Sequence, residues 1–432
     1  MDAKLIVDEV RLTPILISDP PLLNVQGVHQ PYTPRLVVEV ITRGGVSGLG
    51  ETYGDSVYLD LARPLAEALP GHPVTDVNAL FALAAAAAPA GAVQEPDAGV
   101  DAAGLRGVRT ADKLRLSVVS AFETACLDAL GRTLGLPVHA LLGGKVRDTV
   151  EYSAYLFYRW AAHPDAGGRD LPTDDWGPAL DPAGIVAQAR RFDRLHGFRS
   201  FKLKGGVFEP EQEIAAIRAL AEAFPGRPLR LDPNGAWSVE TSLAVARELE
   251  DVLEYLEDPA SGTDAMAGIA ARTDVPLATN MCVTTFEEVP EAFAKGAVRI
   301  VLCDHHYWGG LGRTRELAAL CRTYGVGLSM HSNTHLGISL AAMTQVAATL
   351  PALHHACDTH YPWQTEDVVT TRPVFRDGHL TVSDAPGLGV DLDRTALAAL
   401  HRRWLEDDGT LRNRDDRAAM RRSTPEWQQR TW

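Results

Sequence analysis

Apolar and polar positions follow two different rhythms along the chain. From Arg35 to Gly54 the stretch RLVVEVITRGGVSGLGETYG alternates around a Gly-Gly pair, which predicts an antiparallel hairpin. From Lys113 to Gly135 the apolar residues of KLRLSVVSAFETACLDALGRTLG recur at helical spacing and stop at a glycine. Strands followed by a helix predict an α+β module over the first 140 residues. Between them AAAAAPAGAVQEPDAGVDAAGLRGV is rich in Ala, Gly and Pro and reads as a mobile loop.

From about residue 150 the rhythm becomes regular. Short apolar runs appear at VEYSAYLFY, SFKLKG, PLRLD, LEYLED, PLATN, VRIVLCD, VGLSMH and LHHACD, and most are followed by an amphipathic stretch of helical length. The markers Lys204, Asp232, Glu257, Asn280, Asp304, His331 and Asp358 are spaced 28, 25, 23, 24, 27 and 27 apart. One βα unit per step predicts a parallel barrel. A doubly wound open sheet is the weaker fit, because no GxGxxG turn follows the first strand. After about residue 390 the pattern turns highly charged. That tail reads either as a solvated segment or, given Trp404, Trp427 and Trp432, as one that packs back on the N-terminal module.

Composition narrows the function classes. Lys plus Arg (41) against Asp plus Glu (56) leaves −15, which argues against a nucleic-acid partner. The five cysteines are scattered without a CxxC pair, so neither a disulfide framework nor a cysteine zinc site is expected. The N-terminus MDAKLIVDEVRLTPIL carries charges where a signal peptide needs an apolar core, and the apolar run Ala79 to Val93 is too short to span a bilayer. A cytoplasmic location and no membrane partner are expected.

In a parallel barrel the chemistry sits at the C-terminal ends of the strands. Those ends present Lys202 and Lys204, Asp232 and Asn234, Glu257, Asn280, Asp304 and His331. Each has a plain structural alternative: LDPNG as a turn, Glu257 or Asp304 as a helix cap, Asn280 as a turn residue, His331 as a core histidine. Their joint occurrence at consecutive strand ends favours convergence on one mouth. Asp232, Glu257 and Asn280 offer three oxygen ligands, suited to Mg²⁺ first and Mn²⁺ second. Asp304 beside His331 would fix the imidazole tautomer. A lysine beside a divalent cation and a second lysine is expected to have its pKa lowered toward the range of a base. A lysine on one face and a His–Asp pair on the other would reach one carbon from both sides, and its proton leaves only if the enediolate is stabilised.

These residues, with FKLKGG, LDPNGAWS, ATNM, HSNTHLGISLA, DTHYPW, NVQGVHQPYTPR and RNRDDRAAM, resemble the mandelate racemase-like branch of the enolase superfamily, and within it the glucarate dehydratase group most closely. The resemblance implies an α/β fold: a modified (β/α)7β TIM-like barrel at 141–390, an α+β capping domain at 1–140, and a C-terminal segment at 391–432 returning to the cap and the site. It implies Lys204 and His331 as bases, Asp304 orienting the latter, and metal ligands Asp232, Glu257 and Asn280. Lys202 and Asn234 would bind the substrate carboxylate and enediolate region. Further substrate contacts would come from His29, Thr110, Tyr155, Asn280, Ser332, Asn333, His360 and Arg414. The implied reaction is dehydration of D-glucarate, and of L-idarate, to 5-dehydro-4-deoxy-D-glucarate, with galactarate as the alternative acid sugar. The expected partners are a dicarboxylate sugar acid and further copies of the chain. Thr334 departs from the Asn expected in HSNTH, and the stretch after Glu257 is short.

A metal-dependent hydrolase barrel is the rival enzyme class, given fourteen histidines and HHACDTH, but such barrels need an HxH pair and the sequence has none. A non-catalytic paralogue would have lost some of these groups, and none is missing.

Overall fold

The computed structural model describes residues 2–87, 110–164 and 173–432. The chain opens with β1 (Val7–Ser18), the two-residue strands β2 (Leu23–Asn24) and β3 (Gly27–Val28), then β4 (Tyr32–Thr42) and β5 (Ser47–Tyr53). β1, β4 and β5 form an antiparallel sheet in that order, and β2 pairs β3 in a small hairpin. The predicted hairpin is β4–β5, which pairs Arg35 with Tyr53 and Ile41 with Ser47. Helices α1 (Ser56–Ala68), α2 (Val77–Ala87) and α3 (Ala111–Leu134) follow, and the predicted loop after α2 lies outside the described residues from 88 to 109.

Thr110 caps α3 by accepting from the Lys113 N–H, and Gly135 ends it in the left-handed conformation. α3 lies tight against β5. A Cβ at Gly48 would stand 2.1 Å from the Ala125 carbonyl oxygen, and one at Gly50 1.9 Å from that of Ala121. The glycines of VSGLGE therefore serve a close helix–sheet approach as well as the sheet itself.

After α4 (Val138–Leu141) come eight parallel strands: β6 (Thr149–Phe157), β7 (Phe201–Lys204), β8 (Leu229–Asp232), β9 (Leu253–Glu257), β10 (Leu277–Thr279), β11 (Ile300–Cys303), β12 (Gly327–Met330) and β13 (Cys357–Thr359). They pair in sequence, and β13 returns to pair β6, which leaves the barrel open only between β12 and β13. Even there the His354 N–H donates to the Leu328 carbonyl at 3.2 Å. Crossovers α5 (Pro182–His196), α6 (Pro210–Ala223), α7 (Val239–Leu249), α8 (Thr263–Ala270), α9 (Val289–Ala294), α10 (His305–Trp308) with α11 (Leu311–Tyr324), and α12 (Gly337–Ala347) give a (β/α)7β barrel.

The register sets the site. Phe157, Lys204 and Asp232 stand level at the C-terminal ends of β6, β7 and β8. β7 is buried along its whole length, so an exposed edge strand is excluded.

β14 (His379–Thr381) pairs antiparallel with the start of β6. α13 (Arg394–Glu406) then packs on β1, and α14 (Asp416–Ser423) on β3. The solvated-tail reading fails, since Trp404 and Trp432 pack against the hydrophobic core. The Trp432 backbone bonds both ways to the loop after β8, its N–H to the Ala236 carbonyl and its carbonyl from the Ser238 N–H. All five cysteines are buried and unbridged. Among the described residues no helix is long and apolar enough to cross a membrane.

Candidate active site

The end of β7 carries both lysines inward. Lys204 Nζ lies 2.6 Å from Asp232 Oδ2. Lys202 Nζ lies 2.8 Å from Asp358 Oδ2 and 3.5 Å from Asp232 Oδ2, and also touches Glu257 Oε2. The Tyr155 ring covers both ammonium groups, at 4.6 Å from Lys202 and 5.7 Å from Lys204. Burial disfavours the Lys202 ammonium, but Asp358, Glu257 and Asp232 outweigh it and raise its pKa well above the usual value. Three carboxylates around its nitrogen thus favour Lys202 as a cation. Asp358 is itself pinned by Arg230 at 3.0 Å.

The two glycines after the lysines have a local cause. A Cβ at Gly205 would meet Glu213 Oε2 at 2.5 Å, and one at Gly206 would meet the Pro233 carbonyl at 2.4 Å. Glu213 accepts N–H bonds from Gly206, Val207 and Phe208 at 3.0, 2.9 and 3.1 Å, and burial pushes its pKa up to about 7. The loop after β7 is thus folded onto a buried carboxyl and against the loop carrying Asn234.

Asp232 Oδ1 accepts from the Asn234 N–H at 3.0 Å, and Asn234 sits in the left-handed region at φ 52°. The turn reading and the site reading of LDPNG are both realised. Burial raises the Asp232 pKa, yet Lys204 and Lys202 hold it below the usual range. Glu257 goes the other way, raised by burial and by Asp232 beside it. Among the described residues, the buried amide oxygens Asn234 Oδ1 and Asn280 Oδ1 have no hydrogen-bond donor. Unsatisfied oxygens beside two crowded carboxylates fit a hard cation, which would satisfy the one and relieve the other.

Asp258, which the sequence reading passed over, holds the third of these residues in place. Its carboxylate accepts from the Asn280 N–H at 2.8 Å and from the Thr279 hydroxyl at 2.5 Å, from a backbone at φ 36°. Burial raises its pKa to about 7.

Across the mouth, His331 Nδ1 lies 3.3 Å from Asp304 Oδ2, which leaves Nε2 for the cavity. Asp304 also caps α10 by accepting from the His306 N–H at 3.0 Å, so cap and His partner are one residue. Burial lowers the His331 pKa to about 4 against the opposing pull of Asp304, with Lys202 and Lys204 adding to the fall. The imidazole is neutral near pH 7, ready to accept a proton.

Lys204, Asn280, Tyr155, His331, Ser332, Asn333, His29, His360 and Arg414 line one cavity of about 500 Å³, open solvent at its mouth included. Asn24, Gln26, Phe157 and Tyr307 line it too and were missed. Asn24 lay within a quoted motif, and the signal available was its position flanking a tight Gly27 turn on the same hairpin as His29. Thr110, Lys202 and Asn234 are not among the lining residues, and the Thr110 hydroxyl caps α3.

At the far end Arg414 Nη2 pairs with Asp416 at 3.0 Å, and Asn24 Nδ2 donates to the same carboxylate at 2.9 Å. His29 Nδ1 lies 3.2 Å from Asp19, and its ring stacks on His360 at 6.1 Å. Burial lowers the His360 pKa to about 3. Asp19 with His29 and His360, and Asp304 with His305, His306 and His335, also bring donor atoms within 4.8 Å of one another. In each group the aspartate already pairs with a histidine, whereas the amide oxygens near Asp232 have nothing.

A parallel barrel whose strand ends converge on carboxylates, two lysines and a His–Asp pair defines an enzyme site. Residues 9–143 match the model for the mandelate racemase / muconate lactonizing enzyme N-terminal domain, and residues 184–396 that for the enolase C-terminal domain-like family. The chain belongs to the enolase superfamily, in its mandelate racemase / muconate lactonizing enzyme branch. It is 71% identical over 427 residues to a probable glucarate dehydratase of Streptomyces coelicolor, covering 99% of this chain and 98% of the relative. An enolase from Thermobispora bispora, solved with magnesium and formate, superposes with a TM-score of 0.93 at 53% identity, with 99% of each chain covered. One from Pseudomonas fluorescens Pf0-1, solved with magnesium, potassium and tartrate, has a TM-score of 0.92 at 45% identity, with 98% of each chain covered.

Proposed function

We propose that this enzyme dehydrates D-glucarate, and L-idarate with it, to 5-dehydro-4-deoxy-D-glucarate. The observation that carries the reading is one cavity lined by Lys204, His331 and Arg414 together with Asn280, whose amide oxygen has no donor. The 71% identity to a probable glucarate dehydratase supports a hydro-lyase, and the neighbours solved with magnesium support that ion.

Asp232, Glu257 and Asn280 would hold Mg²⁺, or Mn²⁺, which when bound supplies positive charge for the enediolate. His331 Nε2 takes the C5 proton of D-glucarate, and Lys204 that of the C5 epimer L-idarate. Asp304 keeps the His331 ring aimed. Lys202, fixed as a cation, and Asn234 face the near carboxylate as negative charge moves onto it. Arg414 clamps the distal carboxylate, with His29, Asn24 and His360 around it. Tyr155, Ser332 and Asn333 contact the carbon chain and its hydroxyls. The C5 proton and the C4 hydroxyl leave together as water, and the enol tautomerises to the product. In this reading residues 1–140 and 391–432 form the lid over a 141–390 barrel.

The test is turnover of a panel of aldarates with Mg²⁺, with C5 exchange followed in deuterated buffer. Dehydration and exchange on D-glucarate are expected. Turnover of galactarate with none of D-glucarate would overturn the substrate assignment.

A further inference from the structure

Asp304 has a second imidazole that the reaction above does not use. His306 Nδ1 lies 2.8 Å from Asp304 Oδ1, and on the other side of the ring Nε2 lies 2.9 Å from the Glu51 backbone carbonyl. The residue is fully buried. A carbonyl oxygen and a carboxylate oxygen both only accept, so each ring nitrogen faces an acceptor. A neutral imidazole has one N–H and would turn a bare lone pair toward one of them. The Ser339 hydroxyl, a donor at 3.1 Å from Nε2, lies farther than the carbonyl.

We propose that His306 is a positioning residue for the base: with Asp304 it holds one proton more than a neutral imidazole and a carboxylate would, and so turns the His331–Asp304 pair into a His331–Asp304–His306 triad. The extra proton sits between Nδ1 and Oδ1, as imidazolium and carboxylate or as imidazole and carboxylic acid. Either way the pair is electrically neutral. Asp304 then aims His331 through Oδ2 without strongly stabilising its protonated form, which keeps His331 a neutral base in a site crowded with cations.

The surroundings are mixed. The His305 ring lies tilted against His306 at 4.1 Å, and His335 and Tyr53 lie edge-on at 4.8 and 5.6 Å. Arg35 is the nearby cation, itself paired with the Glu51 carboxylate at 2.6 Å. Burial pushes His306 toward its neutral form, Asp304 opposes that, and His335 and Arg35 add to the push. Hydrogen-bond geometry favours the extra proton: a neutral ring with its hydrogen on Nδ1 would need Ser339 to donate to Nε2 at 3.1 Å and would still turn that lone pair toward the Glu51 carbonyl at 2.9 Å.

The inference rests on His331 being the base for D-glucarate, and two measurements separate its failure from failure of that reading. In ¹⁵N-histidine NMR of the intact protein, His306 is expected to show both nitrogens protonated, or one proton shared with a protonated Asp304. A singly protonated His306 beside an ionised Asp304 would overturn the proposal whatever the substrate. The second measurement is the pH profile of kcat/KM. His306→Gln cannot carry the charge, so Asp304 would raise the His331 pKa, and the acid limb for D-glucarate should move up by about one pH unit or more. Exchange of L-idarate through Lys204 should keep its limb. An unmoved D-glucarate limb in a folded variant overturns the triad.

Discussion

The two ends of the cavity are built in different ways. At the near end the charged groups stand on or just beyond barrel strands, and register places Lys204 beside Asp232. At the far end Asn24 comes from a hairpin, His360 from the residue after β13 and Arg414 from the approach to α14, joined by contacts such as Asn24 to Asp416 across 392 residues. The near end holds oxygens in surplus: Lys202, Lys204 and Arg230 face Asp232, Glu257 and Asp358, and the amide oxygens of Asn234 and Asn280 are left over. The far end is balanced already, since Arg414 has Asp416 and His29 has Asp19. Surplus suits bond-making chemistry, whereas a balanced end suits choosing among substrates, because it stays stable when empty.

That contrast can be broken most directly at the near end. Asp232→Asn or Glu257→Gln should abolish turnover and magnesium binding by calorimetry while the circular dichroism spectrum stays native. Retained activity in either would mean that the oxygen set is structural.

Next in size is the division of labour across the mouth. His331→Asn should stop C5 exchange on D-glucarate yet leave L-idarate exchange, and Lys204→Arg should do the converse, keeping charge without a usable base. Loss of exchange on both epimers in either variant, with substrate still bound, would show that the two are not independent bases.

At the far end the effect should be smaller and should fall on KM. Arg414→Lys keeps the charge but loses the planar fork, and a charged bidentate contact is worth roughly 1.5–3 kcal/mol, so KM for a diacid should rise about tenfold or more with kcat little changed. Arg414→Ala also strands the buried Asp416, so it should lower the melting temperature as well. If Arg414→Lys instead lowers kcat and leaves KM alone, the far end takes part in the chemistry.

The smallest effect lies beneath the near end. Glu213 has its pKa raised by burial from 4.5 to about 7, so the folded state binds its proton more tightly than the unfolded chain does. Its contribution to stability is full below 4.5 and is lost as pH rises through about 7. Glu213→Gln should flatten that part of the profile of melting temperature against pH, and an unchanged slope would mean another group sets it.

The near end was legible in the sequence because barrel strands repeat at 23 to 28 residues and polar residues at their ends have one place to point. The plain readings were not errors either: Asp232 is a turn residue and Asp304 a helix cap, each by one carboxylate oxygen while the other faces the site. The supporting groups were hidden. Glu213 looks like an ordinary first-turn helix acid, Asp258 like half of an Asp-Pro turn, and His306 like a mere neighbour of Asp304. Only three-dimensional packing turns them toward the site. Thr110 shows the reverse case, a residue carried over by resemblance whose hydroxyl is taken up by its own helix. The far end was illegible from spacing because loop contacts hundreds of residues apart leave no period to read, and resemblance alone pointed to it.

The placement of α14 against the β2–β3 hairpin also sets a timetable for synthesis. A ribosome releases His29 long before Arg414, so a nascent chain can assemble its strands in order while one wall of the cavity does not yet exist. Asn24 and Gln30, which meet Asp416, must wait for 392 and 386 further residues to be made. The near end can therefore take shape once the strand carrying Asp358 has emerged, whereas the far end must wait for Arg414 and Asp416.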